Sequence, residues 1–148
     1  MTFKLDIGDA KSKRTFHLET NSEAFMGKKI NDIIEGKDIS EFKDFVDYEF
    51  VISGASDNAG FPALAIVEGI GRKRVLLTRG KGMHAKKPKG LRLRKSIRGN
   101  TISQDIVQIN LKVSKQGNKS LADIFKKEAK EEKSAEKTEQ NTEDKKEE

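Results

Sequence analysis

Alternating apolar and polar positions run through most of the first 113 residues and predict a series of short β-strands. Phe3, Leu5 and Ile7 alternate with polar neighbours, which is the period of a strand that buries one face. Phe16 and Leu18 repeat this pattern around a histidine. Aromatic, β-branched and other apolar residues predict further strands at 45–53, 63–67, 74–78, 91–97 and 106–113.

Helical periodicity is limited to two places. Between residues 22 and 36 the apolar residues recur at helix-like intervals and Ser22 is a candidate N-cap. Gly27 would interrupt a single helix, so we expect one short helix followed by a turn. Later in the chain, Ser120 can cap a second helix whose apolar residues within 121–125 lie on one side. That helix would dock its first turn on the domain.

Several short strands with only one early helix favour a small barrel or a sandwich, because βαβ units would need longer helical crossovers. We expect a mainly β domain at 1–125, a small β-barrel of about six strands with one short helix. Residues 126–148 are almost entirely Lys, Glu, Ala, Ser, Thr and Gln and have no apolar face. We therefore expect the C-terminal helix to run into a charged tail that ends in disorder.

The composition excludes several kinds of site. The chain has no cysteine, which excludes a disulfide scaffold, a thiolate metal site and a cysteine nucleophile, and makes a reducing compartment the simplest one. No apolar run approaches the roughly 18 residues of a membrane-spanning helix. We expect a cytoplasmic protein without a membrane partner.

The net charge of +6 is concentrated in one segment of the chain. Residues 69–98 carry 12 Lys and Arg and no Asp or Glu, whereas residues 1–68 carry 8 basic and 13 acidic residues. No acid lies between Glu68 and Asp105. A field of one sign repels itself, so it usually indicates a polyanionic partner. The alternative is a solvated basic surface or a patch like a nuclear-localisation signal.

One predicted strand within this segment has the sequence LRLRKSIR. Its period-two geometry places mainly apolar residues on one face and Arg92, Arg94, Ser96 and Arg98 on the other. Guanidiniums about 6.6 Å apart along a strand approximately match the phosphates of a nucleic acid, and arginine binds phosphate bidentately. The upstream sequence RGKGMHAKKPKG is rich in glycine and lysine, which predicts a mobile basic loop.

We therefore expect this segment to bind RNA through phosphate contacts, with an affinity that falls steeply as salt rises. The candidate RNA-binding residues are Arg72, Lys73, Arg74, Arg79, Lys81, His84, Lys86, Lys87, Lys89, Arg92, Arg94, Lys95 and Arg98.

An enzymatic site has weaker support. The carboxylates that could hold Mg²⁺ for a nuclease are Asp44, Asp47, Glu49 and Asp57. Asp47 and Glu49 alternate with aromatic residues and are expected to face solvent, and Asp57 is expected to cap backbone amides of a loop. His17 and His84 stand alone. We predict no enzyme activity, no cofactor, no metal and no small-molecule substrate.

Five stretches of the sequence resemble one known family, the archaeal/eukaryotic small-subunit ribosomal protein six of the e-type. They are GKKINDIIEG (27–36), ISGASDNAGFP (52–62), RVLLTRGKG (74–82), RLRKSIRGNTIS (92–103) and DIVQINLKV (105–113). The chain departs from the family pattern at Ala55, where a glycine is usual, and at Ala63, where a methionine is usual.

The resemblance implies a structural constituent of the small ribosomal subunit in the cytoplasm. It implies a small β-barrel that contacts ribosomal RNA, a C-terminal helical extension, and neighbouring ribosomal proteins as further partners. The basic segment would then be the RNA-binding face. The alternative is an RNA-binding or RNA-chaperone module that acts outside the ribosome, which the same segment would serve.

Overall fold

The computed structural model describes residues 2–39, 45, 47–85, 88–117 and 120–125. Over these residues the fold is mainly β. The strands are β1 (Phe3–Asp9), β2 (Arg14–Thr20), β3 (Ile33–Glu35), β4 (Glu49–Asp57), β5 (Arg72–Leu77), β6 (Leu93–Arg98) and β7 (Ile106–Lys115). Five of them form one sheet in the order β2-β1-β7-β4-β3, and β5 and β6 form a separate two-stranded sheet.

The predicted alternation is confirmed in β1, where Phe3, Leu5 and Ile7 are all buried. β1 pairs antiparallel with β2 and parallel with β7, and β7 pairs antiparallel with β4. Buried residues of β4 and β7 continue the apolar face across the sheet. Each fully buried large apolar side chain contributes roughly 1.5–3 kcal/mol relative to an exposed one, so this face holds the domain together. The residues that cover it include Phe25, Ile30, Ile39, Phe45, Ile102, Leu121 and Ile124.

The five-stranded sheet is open, so the barrel prediction is not confirmed. Within the part of the chain that the structure describes, β2 and β3 are its edges. Irregular backbone covers the core instead: Gly27 donates to the carbonyl of Ile102 at 3.1 Å, and Ile30 donates to that of Asn100 at 2.9 Å. Alternation identifies the buried face of a strand but not which edges pair, and for this reason the pattern could not distinguish the two architectures.

The helix expected between residues 22 and 36 is wrong in extent. Two 3₁₀ turns, Glu23–Phe25 and Gly36–Asp38, flank β3. Ser22 does cap the first turn, because its hydroxyl accepts a hydrogen bond from the amide of Ala24 at 3.3 Å. Gly27 then takes a positive φ of 77°, which ends the helical path.

Two other strand predictions need correction. Residues 63–67 form no strand; Pro62 and Ala63 make only isolated bridges, to Ser56 and Arg98 respectively. The strand expected at 45–53 begins later, at Glu49, and runs further, to Asp57. The isolated bridges place this short segment between the two sheets.

Residues 121–125 form a helical turn that packs on the domain. Ser120 accepts a hydrogen bond from the amide of Asp123 at 3.3 Å, as expected of a cap. Phe125 stacks on Phe16 with ring centroids 4.7 Å apart. The continuation of this helix and the charged tail at 126–148 lie outside the described residues, so they remain predictions. No helix in the described ranges is long and apolar enough to cross a membrane.

Candidate nucleic-acid interface

The basic segment folds into an antiparallel β-ribbon made of β5 and β6. Its register pairs Arg72 with Arg98 at one end and Leu77 with Leu93 at the other. We call the end at Arg72 and Arg98 the base of the ribbon. The outer part consists of 73–77 and 93–96, and residues 78–92 connect the two strands.

Most of the predicted RNA-binding residues are exposed. The exposed ones are Arg72, Lys73, Arg74, Arg79, Lys81, His84, Lys89, Arg92, Arg94 and Lys95. Lys86 and Lys87 lie outside the described residues. Arg98 is buried, with only 5% of its surface exposed. The structure therefore brings the exposed cations together on the ribbon and its connection, and it separates Arg98 from them.

The two faces of the ribbon differ from the prediction of one apolar and one arginine face. Cross-strand partners share a face, so Arg74 and Arg94 lie on one side and Lys73 and Lys95 on the other. Among the expected apolar residues, Ile97 is buried at the base, but Leu93 is exposed. Both faces therefore carry cations.

Arg98 was predicted to bind RNA from an arginine face, but it is buried and three acceptors surround its guanidinium. Nη1 donates to Asp57 at 2.7 Å, Nη2 donates to Asp105, and Nε donates to the carbonyl of Ile70 at 3.1 Å. A buried charge is tolerated only when it is paired and hydrogen-bonded. Arg98 thus fastens the base of the ribbon to the ends of β4 and β7.

Arg72 strengthens the same junction from the other strand. Its Nε donates to Asp57 at 2.7 Å, and its guanidinium carbon lies 5.0 Å from the ring centroid of Phe61. That distance is within the range of a cation–π interaction. The Arg72 side chain stays about half exposed, so it both supports the base and borders the exposed cations.

Asp57 is the centre of this base network. The hydrogen bond from Arg72 and, to a smaller extent, that from Arg98 lower the pKa of the Asp57 carboxyl, against the opposing effect of burial, to about 2. Burial disfavours the charged form of Arg98, yet its bonds to Asp105 and Asp57 outweigh burial and raise its pKa. Both groups are therefore charged at neutral pH.

The sequence prediction for Asp57 was incomplete. Asp57 does accept a hydrogen bond from the amide of Ala59 at 3.3 Å, as expected of a capping residue. Its ion pairs with two arginines were missed. No signal in the sequence singled out Asp57, because Glu68 lies nearer to the basic segment.

The carboxylates considered for a nuclease do not all come together: Asp47 and Glu49 line one cleft, but Asp57 is remote from it. Glu49 and Asp57 lie at opposite ends of β4, eight residues and roughly 26 Å apart at the rise of a strand. Glu49 pairs with Lys115 at 3.3 Å, and Asp44 lies outside the described residues. Within the described chain no group of three acids or histidines could hold a metal ion.

The connection between the strands is partly folded. Gly80 and Met83 exchange two backbone hydrogen bonds, of 3.0 and 3.1 Å, and Met83 is fully buried. Residues 80–83 therefore form a hydrogen-bonded turn within the predicted basic loop. Elsewhere in the connection, one cleft is lined by Arg79, Lys89 and Arg92. Cations therefore also cluster at the end of the ribbon opposite its base.

In comparison with known proteins, a family match extends over both sheets. The family model described as Ribosomal protein S6e matches residues 3–126. The chain belongs to the ribosomal protein S6e family. The resemblance seen in the five sequence stretches is thereby confirmed.

Archaeal members of the S6e family are similar over most of the chain. A protein of Methanococcus maripaludis is 43% identical over 121 residues, which are 82% of this chain and 94% of that protein. One of Methanocaldococcus jannaschii is 39% identical (84% and 91%), and one of Archaeoglobus fulgidus is 41% identical (85% and 97%). Each is named small ribosomal subunit protein eS6.

Proposed function

We propose that this S6e-family chain is a structural, non-enzymatic constituent of the small ribosomal subunit in the cytoplasm. The names of its archaeal relatives support the assignment to the small subunit. We further propose that it binds small-subunit ribosomal RNA through the β5–β6 ribbon and the connection at 78–92. Other surfaces would meet neighbouring ribosomal proteins.

The observation that carries the RNA proposal is the lack of acidic partners around the exposed cations. Across the described ranges, no ion pair is formed by Arg74, Arg79, Lys81, Lys89, Arg92, Arg94 or Lys95. The acids nearest to them in sequence, apart from Glu68, are committed to Arg72 and Arg98 at the base. Positive charge along the outer part is therefore available to phosphates.

The expected mechanism is electrostatic docking. Lys and Arg side chains that neutralise phosphates release condensed counterions, so the logarithm of the affinity falls linearly with the logarithm of the salt concentration. Such contacts position a protein on a folded RNA without reading its sequence. Arg98 is not in the contact set that we propose, because its donors are already bound to Asp57, Asp105 and Ile70.

Sedimentation of a lysate of cells that produce this chain tests the proposal. We expect the full chain to migrate with small subunits at low salt and to remain with them at high salt, because a structural component is held by many contacts. A chain found only at the top of the gradient would contradict the ribosomal role. That result would favour the RNA-binding module that acts outside the ribosome.

A further inference from the structure

The outer part of the ribbon exposes both of its faces. Cross-strand register places Arg74, Leu76 and Arg94 on one side, which we call the arginine face. It places Lys73, Leu93 and Lys95 on the other side, which we call the lysine face. All six of these residues are exposed.

Each face also exposes a large apolar side chain. Leu76 on the arginine face is 53% exposed, and Leu93 on the lysine face is 40% exposed. A two-stranded ribbon is only marginally stable in water by itself, and it normally gains stability by burying one face. This ribbon buries residues of β6 only at its base, at Ile97 and Arg98.

A partner that covered one face alone would leave the other face unexplained. Two cations and one leucine would remain in solvent on whichever side was uncovered. Within the part of the chain that the structure describes, Lys73 alone among these four side chains donates a hydrogen bond, to the carbonyl of Glu68 at 2.9 Å. Val75 and Leu77 on the lysine face are half-buried. Two exposed cations and one exposed leucine on each side nevertheless favour a polyanion that contacts both faces.

We propose that the ribbon inserts between two segments of ribosomal RNA, one against the arginine face and one against the lysine face. This inference rests on the proposed function. Phosphates pair with the four cations, and sugars or bases cover the two leucines. A regular RNA helix has a deep, narrow major groove that does not admit side chains, so the ribbon fits a junction or an irregular helix instead.

Two double variants of the full chain separate the faces. Arg74→Gln with Arg94→Gln neutralises the arginine face, and Lys73→Gln with Lys95→Gln neutralises the lysine face. Lys13→Gln with Lys112→Gln removes the same charge from two exposed positions away from the ribbon, the β1–β2 turn and β7, and serves as the control. Binding to deproteinised small-subunit ribosomal RNA of Methanococcus maripaludis is measured between about 0.05 and 0.2 M salt.

Each lost phosphate contact lowers the slope of log affinity against log salt by about one. We expect each face variant to lower the slope by about two, and the four substitutions together to lower it by about four. A slope that changes for only one face would overturn insertion and leave the proposed function standing. Slopes that match the control for both faces would overturn RNA binding by the ribbon itself.

A second measurement does not depend on charge. The chain has no cysteine, so Leu76→Cys and Leu93→Cys each provide one site for a short photoactivated crosslinker. We expect the two variants to crosslink to different RNA segments, and Thr15→Cys on β2 to give no crosslink. Crosslinks from one face only, or to a single shared segment, would overturn the proposal.

Discussion

Two arginines on β6 lie four residues apart and have opposite environments. Arg98 at the base is buried and donates to three acceptors, whereas Arg94 in the outer part is exposed and has no ion pair with any described residue. The difference comes from Asp57 and Asp105, which reach the base only. Charge in the basic segment therefore has two roles: the base fixes the ribbon to the domain, and the outer part offers cations to a partner.

Removing the acid at the centre of the base should have the largest effect. In Asp57→Ala, Arg98 loses one of its two carboxylates and Arg72 loses the one ion pair that it forms within the described ranges, since both bind Asp57. Breaking a buried pair from one side costs about 3–5 kcal/mol, and urea unfolding measures the loss. The matched control is Glu49→Ala at the other end of β4, whose exposed pair with Lys115 contributes less than about 1 kcal/mol. Equal losses in the two variants would contradict the distinction between base and surface pairs.

Low pH should have the second largest effect on the stability of the junction at the base of the ribbon. The folded pKa of Asp57, about 2, is below the ordinary aspartate value. Its stabilisation is therefore complete above that ordinary value and is lost as the pH falls towards 2. We expect the difference in unfolding free energy between the parent chain and Asp57→Asn to shrink by roughly 2 kcal/mol from pH 5 to pH 2. A difference that does not change with pH would show that the carboxylate is not held by the arginines.

Adding a single methyl group at Gly99, where the backbone is closely packed at the base, should lower the stability of the fold. A Cβ at Gly99 would lie 1.8 Å from the carbonyl oxygen of Gly69, so the backbone would have to move. We expect Gly99→Ala to cost about 1–3 kcal/mol, as overpacking does. A Cβ at Gly71 meets nothing within 4 Å, so Gly71→Ala should stay within about 0.5 kcal/mol. Thermal unfolding compares the two, and similar midpoints would argue against close packing there.

The smallest effect on stability is expected in the outer part. Arg94→Gln should change the unfolding free energy by less than about 0.5 kcal/mol, because the side chain is exposed. It should nevertheless lower the salt slope of RNA binding by about one. Loss of stability without a change in slope would assign Arg94 to the fold instead of the interface.

The features that could be predicted from the sequence are those that depend on the local pattern of residues. β1 could be predicted because Phe3, Leu5 and Ile7 alternate with polar residues and all face the core. The basic segment could be recognised because it contains no acid. The interruption at Gly27 was expected, but helix-like spacing did not reveal the positive φ at Asn31 or the strand β3 that follows it. The open sheet was missed because edge pairing is not encoded by alternation.

The role of Arg98 could not be deduced from its neighbours in the sequence. Its partner Asp57 lies 41 residues away, and only the folded chain brings the two together. Arg92, Arg94 and Arg98 lie at intervals of two and four residues, which indicated one arginine face, but β6 begins at Leu93 and buries its last residue. The ion pairs in the folded chain therefore distinguish the structural cations from the exposed ones, which the spacing of residues in the sequence does not.

The central claim is that the outer cations, and not the base, bind the small subunit. It is tested most directly by a chain in which Lys73, Arg74, Arg94 and Lys95 are all replaced by Gln. Its distribution across a high-salt gradient is compared with that of the parent chain, after thermal unfolding has shown that it is folded. We predict that the parent chain migrates with small subunits and the variant stays at the top of the gradient. Co-migration of the folded variant at the level of the parent chain would contradict the account.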